Sequence, residues 1–212
     1  MNDDLHNHAV SHRNVAVLVI GGTSHTGKST LGHSLATDLG WRYLSTDVIA
    51  RHPGRPFRGD GKVPSHVQAH YLNHTTHELI DDVVRHYETI IWPAASALIR
   101  HYTGPNADRG LVLEGSAMMP HLVHSLAGPS VIAVWLTLPH SELRARIEVN
   151  AQIATLNASQ RRPVNRFIDR SLAFDDLMHQ QLVEGQLVLN CAHQSADQLH
   201  HWGKAFIDEN SR

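Results

Sequence analysis

The chain has 212 residues, of which 42% are hydrophobic and 18% are charged, and its formal net charge is −2. This length and this composition are typical of one globular domain with a single sizeable core. The nearly neutral charge argues against a general nucleic-acid binder, which usually has a clear excess of basic residues.

The N-terminal segment is polar and acidic, and it has no apolar stretch of the kind that a secretory signal contains. We expect residues 1–13 to be a disordered leader and residues 14–212 to form one domain. The longest apolar run, VIAVWL, is much shorter than the ~20 residues that span a bilayer, so we expect no membrane partner. The only cysteine, Cys191, fits a cytoplasmic protein. Its apolar surroundings favour a packed thiol over a reactive one.

Strand and helix patterns alternate along the whole chain. Short apolar runs of this kind are typical of strands in an open, mostly parallel sheet that has helices on both faces. We therefore predict a three-layer α/β/α fold with a five-stranded parallel sheet. The predicted strands cover residues 15–20, 41–47, 110–115, 130–138 and 186–191.

The helical segments are marked by spacing, caps and prolines. We expect Pro93 to kink or split the longest of them, and NASQRR (157–162) to be a polar break. The predicted helices run from Lys28 to Leu39, from Ser65 to about Tyr102, from Ser141 to about Leu156, from Pro163 to about Glu184, and onward from the capping box of Ser195 and Gln198.

The stretch GGTSHTGKST contains the pattern G-x-x-x-x-G-K-[ST], between the first strand and the first helix. In this context the pattern is a phosphate-binding loop, whose amides and helix N-terminus bind the phosphates of a nucleotide. We expect Lys28 to reach the β and γ phosphates of ATP, and Ser29 to bind Mg²⁺. A glycine-rich turn with an incidental lysine is the alternative. The predicted nucleotide-binding residues are Gly22, Thr23, Ser24, His25, Thr26, Gly27, Lys28, Ser29 and Thr30.

Other parts of the chain narrow the class of nucleotide-binding protein. No Asn-Lys-x-Asp motif is present to read guanine, and the third strand ends in Glu114 alone rather than in an acidic pair. The layout resembles the small-molecule kinases with phosphate-binding loops, the shikimate, gluconate and nucleoside monophosphate kinase group. The segment EGSAMMP, from Glu114 to Pro120, is also similar to 2-phosphoglycerate kinases. Only the phosphate loop matches strictly.

The resemblance implies the fold of the P-loop NTPases and a phosphotransferase that uses ATP and Mg²⁺. Its acceptor would be a hydroxyl or phosphate of a small, anionic metabolite or nucleotide. We expect no nucleic-acid partner, and a monomer or a homodimer. A nucleotide-binding regulatory protein and a slow ATPase without a small-molecule acceptor are the alternatives.

The acceptor side is predicted around a loop at residues 50–64, beyond the second strand. The resemblance implies that Asp47 contacts the acceptor hydroxyl, as a general base or an orienting group; a helix N-cap is the alternative. Clustered arginines suit an anionic acceptor, although a solvated loop would also carry them. Glu114 is expected to hold Mg²⁺ through water or to touch the acceptor, or else to be a buried acid paired with an arginine. The arginines concerned are Arg51, Arg55 and Arg58.

A lid is expected at residues 157–170, because a kinase must exclude water from the γ phosphate. Arg162 and Arg166 are the catalytic candidates, and they share a helical spacing of four with Arg170. A charged helix surface is the alternative. The further candidates, on the preceding helix, are Arg144 and Arg146.

Histidine is unusually frequent, with 19 residues. His66, His70 and His74 are four apart, and His77 is close by. A solvated polar face is the favoured interpretation, and zinc binding is the alternative. For Tyr87 we favour core packing over contact with a ligand.

Overall fold

The computed structural model describes residues 15–57, 63–126 and 128–211. Five parallel strands form one sheet in the order β2-β3-β1-β4-β5, with helices on both faces, which confirms the predicted fold class. The predicted leader and Arg58 lie outside the described residues. The strands are β1 (Val17–Gly21), β2 (Arg42–Ser45), β3 (Leu111–Glu114), β4 (Val131–Thr137) and β5 (Leu187–Asn190).

Alternating side chains of β1 divide the core between the two faces of the sheet. Leu18 and Ile20 belong to one buried cluster, whereas Val17 and Val19 belong to the other. Because every one of these side chains is buried, the strand is apolar throughout its length. The helices are α1 (Lys28–Leu39), α2 (Ser65–Asn73), α3 (Thr76–His86), α4 (Trp92–Tyr102), α5 (Pro120–His124), α6 (His140–Asn150), α7 (Ala158–Gln180) and α8 (Ala196–Asn210).

The long helical region before β3 breaks at a position that the sequence prediction missed. Thr75 caps α3, with its hydroxyl accepting from the amide of Glu78 and the Glu78 carboxylate accepting from the Thr75 amide. This capping box stabilises a new helix start directly after α2. At Pro93 the chain remains helical, because a π-turn over Tyr87–Ile91 precedes the proline and α4 begins at Trp92.

The helix of the predicted lid begins earlier than expected. Asn157 and Gln160 form its capping box, so the predicted polar break is the first turn of α7. Pro163 lies inside this helix rather than at its start. The predicted start at Pro163 was wrong because Asn157 also signals a helix start. The side-chain cap at Asn157 determines the boundary. The preceding helix α6 is also shorter than predicted, and a short 3₁₀ turn over Ile153–Thr155 follows it.

Cys191 follows β5 and is fully buried. Burial raises the pKa of its thiol to about 11, which confirms a packed thiol. Within residues 15–57, 63–126 and 128–211, no helix has both the length and the apolar character needed to cross a bilayer.

Candidate functional site

The loop between β1 and α1 has the backbone shape that phosphate binding requires. Gly22 and Gly27 have φ angles of 124° and 98°, and His25 between them has a φ of 68°. A Cβ atom on Gly22 would overlap the carbonyl oxygen of Leu136, so only glycine fits there. Gly27 is the N-cap of α1 and has no side chain with which to cap it. The first amides of the helix are therefore available to an anion.

Lys28 is the first residue of α1, and its side chain turns back over the loop. Only 7% of the residue is exposed, and Nζ donates a 2.6 Å hydrogen bond to the carbonyl oxygen of Thr23. Burial lowers the pKa of the Lys28 ammonium, whereas the charge of Glu114 acts in the opposite direction. A phosphate in the loop would meet a cation in surroundings of low dielectric, where the attraction is strong.

Hydroxyl and carboxylate oxygens converge beside Lys28. Ser29 Oγ donates to Glu114 Oε1 over 3.2 Å, and the Tyr43 hydroxyl donates to the same oxygen over 2.9 Å. Burial raises the pKa of Tyr43 to about 12, so the phenol keeps its proton. Glu114 is 2% exposed. Among the described residues its partners are these hydroxyls, and none of the described arginines forms an ion pair with it.

Asp47 lies in a short 3₁₀ turn directly after β2. The Ser45 hydroxyl accepts from the Asp47 amide, so Ser45 is the cap of this turn and the N-cap alternative for Asp47 is wrong. The carboxylate of Asp47 lies 3.3 Å from Arg51 Nη2, and about half of its side chain is exposed. The carboxyl group is thus open to a ligand.

The predicted acceptor arginines have different surroundings. Arg51 pairs with Asp47, and 68% of its side chain is exposed. Arg55 Nη2 donates to Ser24 Oγ over 3.4 Å, which connects the loop after β2 to the phosphate loop. Arg58 lies in the part of the chain that the structure does not describe.

One cavity of about 650 Å³ lies at the carboxyl ends of the strands, and most of these groups line it, although Gly22 and Tyr43 do not. In open α/β sheets this is the edge at which ligands bind. The cavity contains residues of the phosphate loop together with Asp47 and Glu114. Cationic side chains outnumber these two acids, so its contents are expected to be anionic. The cationic lining residues are Lys28, Arg51, Arg55, Arg146 and Arg170.

The two predicted catalytic arginines of α7 do not reach this cavity. Arg162 is exposed, and Arg166 Nη2 donates over 2.6 Å to the carbonyl oxygen of His74, at the end of α2. Neither is among the residues that line the cavity. The spacing of four placed them on one helix correctly, but the packing of α7 against α2 gives Arg166 a structural contact.

Arg170 is the arginine of α7 that does line the cavity. Its guanidinium lies 5.7 Å from the centre of the Tyr71 ring and 5.1 Å from that of Phe167, in cation–π geometry. Its Nε is buried and has no hydrogen-bond partner among the described residues. Arg146, the other predicted candidate that lines the cavity, donates to the carbonyl oxygen of His25 over 3.4 Å.

Aromatic side chains that the sequence analysis did not assign to a site complete the wall of the cavity. Tyr87 packs edge-on against Phe174, with ring centres 5.8 Å apart, and both residues line the cavity. Tyr87 therefore packs in the core, as predicted, and also faces the cavity. A π-turn begins at Tyr87, and such turns often occur at functional sites, so this local feature also indicates that Tyr87 belongs to the site.

His25 is held neutral inside the phosphate loop. Burial lowers its pKa to about 4, although a hydrogen bond with Asn150 acts in the opposite direction. Nε2 donates to Asn150 Oδ1 over 3.1 Å. At neutral pH this ring adds no charge beside Lys28.

The depressed pKa of His25 predicts a loss of stability in acid. The unfolded chain has the ordinary histidine pKa of 6.5 and takes up a proton as the pH falls from 6.5 to 4, while folded His25 does not. The free energy of unfolding should therefore decrease by about 1 kcal/mol between pH 7 and pH 5, after allowance for solvent around the ring. Urea unfolding of the parent and of His25→Asn at both pH values measures this. An equal decrease in the two proteins would contradict it.

No protein-family model matches the sequence, and a search of curated proteins found no relative. Solved structures are similar in fold. A gluconokinase from Sinorhizobium meliloti 1021 is 17% identical over 94% of each chain, with a TM-score of 0.53. The protein TT1252 from Thermus thermophilus is 17% identical over 92% of this chain and 98% of its own, with a TM-score of 0.50. A shikimate kinase from Bacteroides thetaiotaomicron is 13% identical over 91% and 98%, with a TM-score of 0.49. The fold of this chain is that of the small-molecule kinases with phosphate-binding loops.

Proposed function

We propose that the protein is an ATP-dependent phosphotransferase that moves the γ phosphate to a hydroxyl or phosphate of a small, anionic metabolite or nucleotide. One observation carries the proposal: the phosphate loop and Asp47 with its neighbouring arginines line the same cavity. A nucleotide-binding protein without acceptor chemistry would not need this second set of groups. The kinase fold supports the same class of reaction.

ATP phosphates would bind to the loop amides and to Lys28. Ser29 and Glu114 present the hard oxygen donors that Mg²⁺ prefers, and their hydrogen bond brings the two side chains together. In this assignment Ser29 would bind the ion directly and Glu114 would hold it through water. When bound, Mg²⁺ would neutralise charge on the β and γ phosphates.

The acceptor would bind between Asp47 and the arginines of the following loop. Its oxygen attacks the γ phosphorus, the bond to the β-phosphate oxygen breaks, and ADP leaves. If the acceptor is a hydroxyl, its proton passes to the Asp47 carboxylate, which also orients the oxygen. Arg51 and Arg55 would pair with the charged group of the acceptor, and Arg55 is already placed against the phosphate loop.

Two arginines of α7 offer a matched comparison. Arg170→Ala should reduce transfer by about 10²-fold, because a cation that faces the transferring phosphoryl group stabilises its charge. Arg162→Ala should leave transfer unchanged, because Arg162 is exposed and outside the cavity. Steady-state rates of both variants at saturating ATP provide the measurement. Equal losses of transfer rate in the two variants would contradict the proposed contact of Arg170 with the transferring phosphoryl group.

The test of the proposed function is ADP release from Mg-ATP in the presence of separate pools of phosphorylated and carboxylated metabolites. Stimulation by one pool supports the kinase, and subdivision of that pool identifies the acceptor. Release that is independent of every pool would mean a slow ATPase. Nucleotide binding without release would mean a regulatory protein.

A further inference from the structure

A cluster of side chains that could bind a metal lies where the loop after β2 meets helices α2 and α3. His52 is in the loop after β2, His70 is on α2, and Asp82 is on α3. One possible ligand atom from each residue lies within 4.8 Å of the others. Three separate segments of the chain therefore bring two imidazoles and a carboxylate to one point.

The distances in this cluster are close to those of a metal site. His52 Nε2 is 2.6 Å and His70 Nε2 is 3.8 Å from the same oxygen, Asp82 Oδ2. Zn²⁺ binds nitrogen and oxygen at about 2.0–2.2 Å, which places tetrahedral ligand atoms ~3.3 Å apart. The two observed separations lie on either side of that value. Relative to this carboxylate oxygen, each imidazole nitrogen would need to shift by less than about 1 Å.

The surroundings of the cluster also suit an ion. His70 is well shielded, with 13% of its side chain exposed, whereas His52 and Asp82 are each 35% exposed. The other carboxylate oxygen of Asp82 lies 3.8 Å from Arg85 Nη1, which helps to fix the orientation of the carboxylate. The site is thus preorganised and still open to an ion from solvent.

A third imidazole lies beside the cluster. The ring of His86 stacks on that of His52, with centres 4.9 Å apart. Its Nε2 is buried and has no hydrogen-bond partner among the residues that the structure describes. His86 is not in the group whose ligand atoms lie within 4.8 Å of one another, so water would fill the fourth position of a tetrahedral ion.

The sequence pattern alone did not identify this set. Of the four histidines in the predicted group, only His70 takes part. His66 is exposed, His74 Nδ1 bonds to the carbonyl oxygen of His70, and His77 pairs with Asp81. The cluster depends on contacts between distant segments rather than on helical spacing.

We propose that His52, His70 and Asp82 bind a divalent transition-metal ion of the zinc type, which ties the acceptor loop to α2 and α3. Two imidazoles and one carboxylate are a ligand set that favours Zn²⁺ over Mg²⁺. Such an ion would hold His52 in place and with it the adjacent Arg51. This site is separate from the one assigned to Mg²⁺.

The test is Zn²⁺ binding by the metal-free, full-length protein, measured by competition with a chromogenic chelator. We expect one tight equivalent, and affinity at least about 100-fold weaker in His70→Ala and in Asp82→Asn. His77→Ala is the matched control, since it removes a histidine that pairs with an exposed aspartate on the same helix. Its affinity should equal that of the parent.

A second measurement keeps the result independent of folding defects. Zn²⁺ should raise the melting temperature of the parent and of His77→Ala but not that of His52→Ala, which changes only a loop residue. Equal Zn²⁺ affinity in the parent and all three cluster variants would overturn the proposal and assign the bound ion to other histidines. Because neither readout uses ATP, the outcome does not depend on the proposed kinase activity.

Discussion

Lys28→Ala is expected to abolish phosphoryl transfer while leaving the fold intact. The ammonium is buried within the phosphate loop, and in the proposed function it is the cation that would meet the β and γ phosphates. Removal of one such group from a site shielded from water lowers the rate by about 10²–10³-fold or more. ADP release in the presence of the stimulating metabolite pool measures this loss.

The stability of Lys28→Ala should be equal to that of the parent or higher. Burial of the ammonium is unfavourable for the folded protein, as the direction of its pKa shift indicates. Lys204→Ala is the matched control, because Lys204 is half-buried, lies outside the cavity and pairs with Asp38. That variant should transfer phosphate normally. Undiminished turnover in Lys28→Ala, with the control also active, would contradict a role of the phosphate loop in phosphoryl transfer.

Asp47→Asn is expected to reduce acceptor phosphorylation by about 10²–10⁴-fold, the usual contribution of a general base. The amide keeps the shape of the side chain but can neither accept the proton nor pair as a carboxylate with Arg51. ATP affinity should be unchanged, since the phosphate loop does not use this group. Rates with and without acceptor, together with nucleotide binding, separate the two effects.

Asp81→Asn provides the control for the change at Asp47. Asp81 is an exposed acid that pairs with His77 at 3.4 Å, and it does not line the cavity. It should have parent activity. If Asp47→Asn were as active as Asp81→Asn, Asp47 would have no part in the chemistry and the acceptor would have to bind elsewhere.

The sheet and the phosphate loop could be predicted because their signals are local. An apolar run, a glycine-rich turn and a capped helix follow one another between Val17 and Leu39, and the structure places all three where the sequence indicates. Parallel strands buried on both faces also have an unambiguous pattern. These features depend on neighbouring residues rather than on distant ones.

The part of the cavity that contains Asp47 and the arginines is harder to predict, because it depends on contacts between distant elements. Spacing alone made Arg162, Arg166 and Arg170 equivalent. Only the packing of α7 distinguishes the exposed Arg162, the helix-bridging Arg166 and the cavity-lining Arg170. The start of α7 was also ambiguous, since Pro163 and the cap at Asn157 offered competing signals.

The histidine cluster illustrates the same limit. His52 and Asp82 are 30 residues apart and come into contact only when the loop after β2 packs against α3. A pattern search along one helix finds His66, His70 and His74, yet the structure selects His70 alone and joins it to residues from other segments.

Phosphoryl transfer to a small-molecule acceptor is tested most directly by following the γ phosphate itself. Protein, Mg²⁺ and ATP labelled at the γ position are incubated with the metabolite pool that stimulates ADP release, and the products are separated by anion-exchange chromatography. We expect label in a new organic phosphate, with Lys28→Ala and Asp47→Asn giving little or none. Label found only in inorganic phosphate, or retained in ATP with every pool, would contradict a kinase.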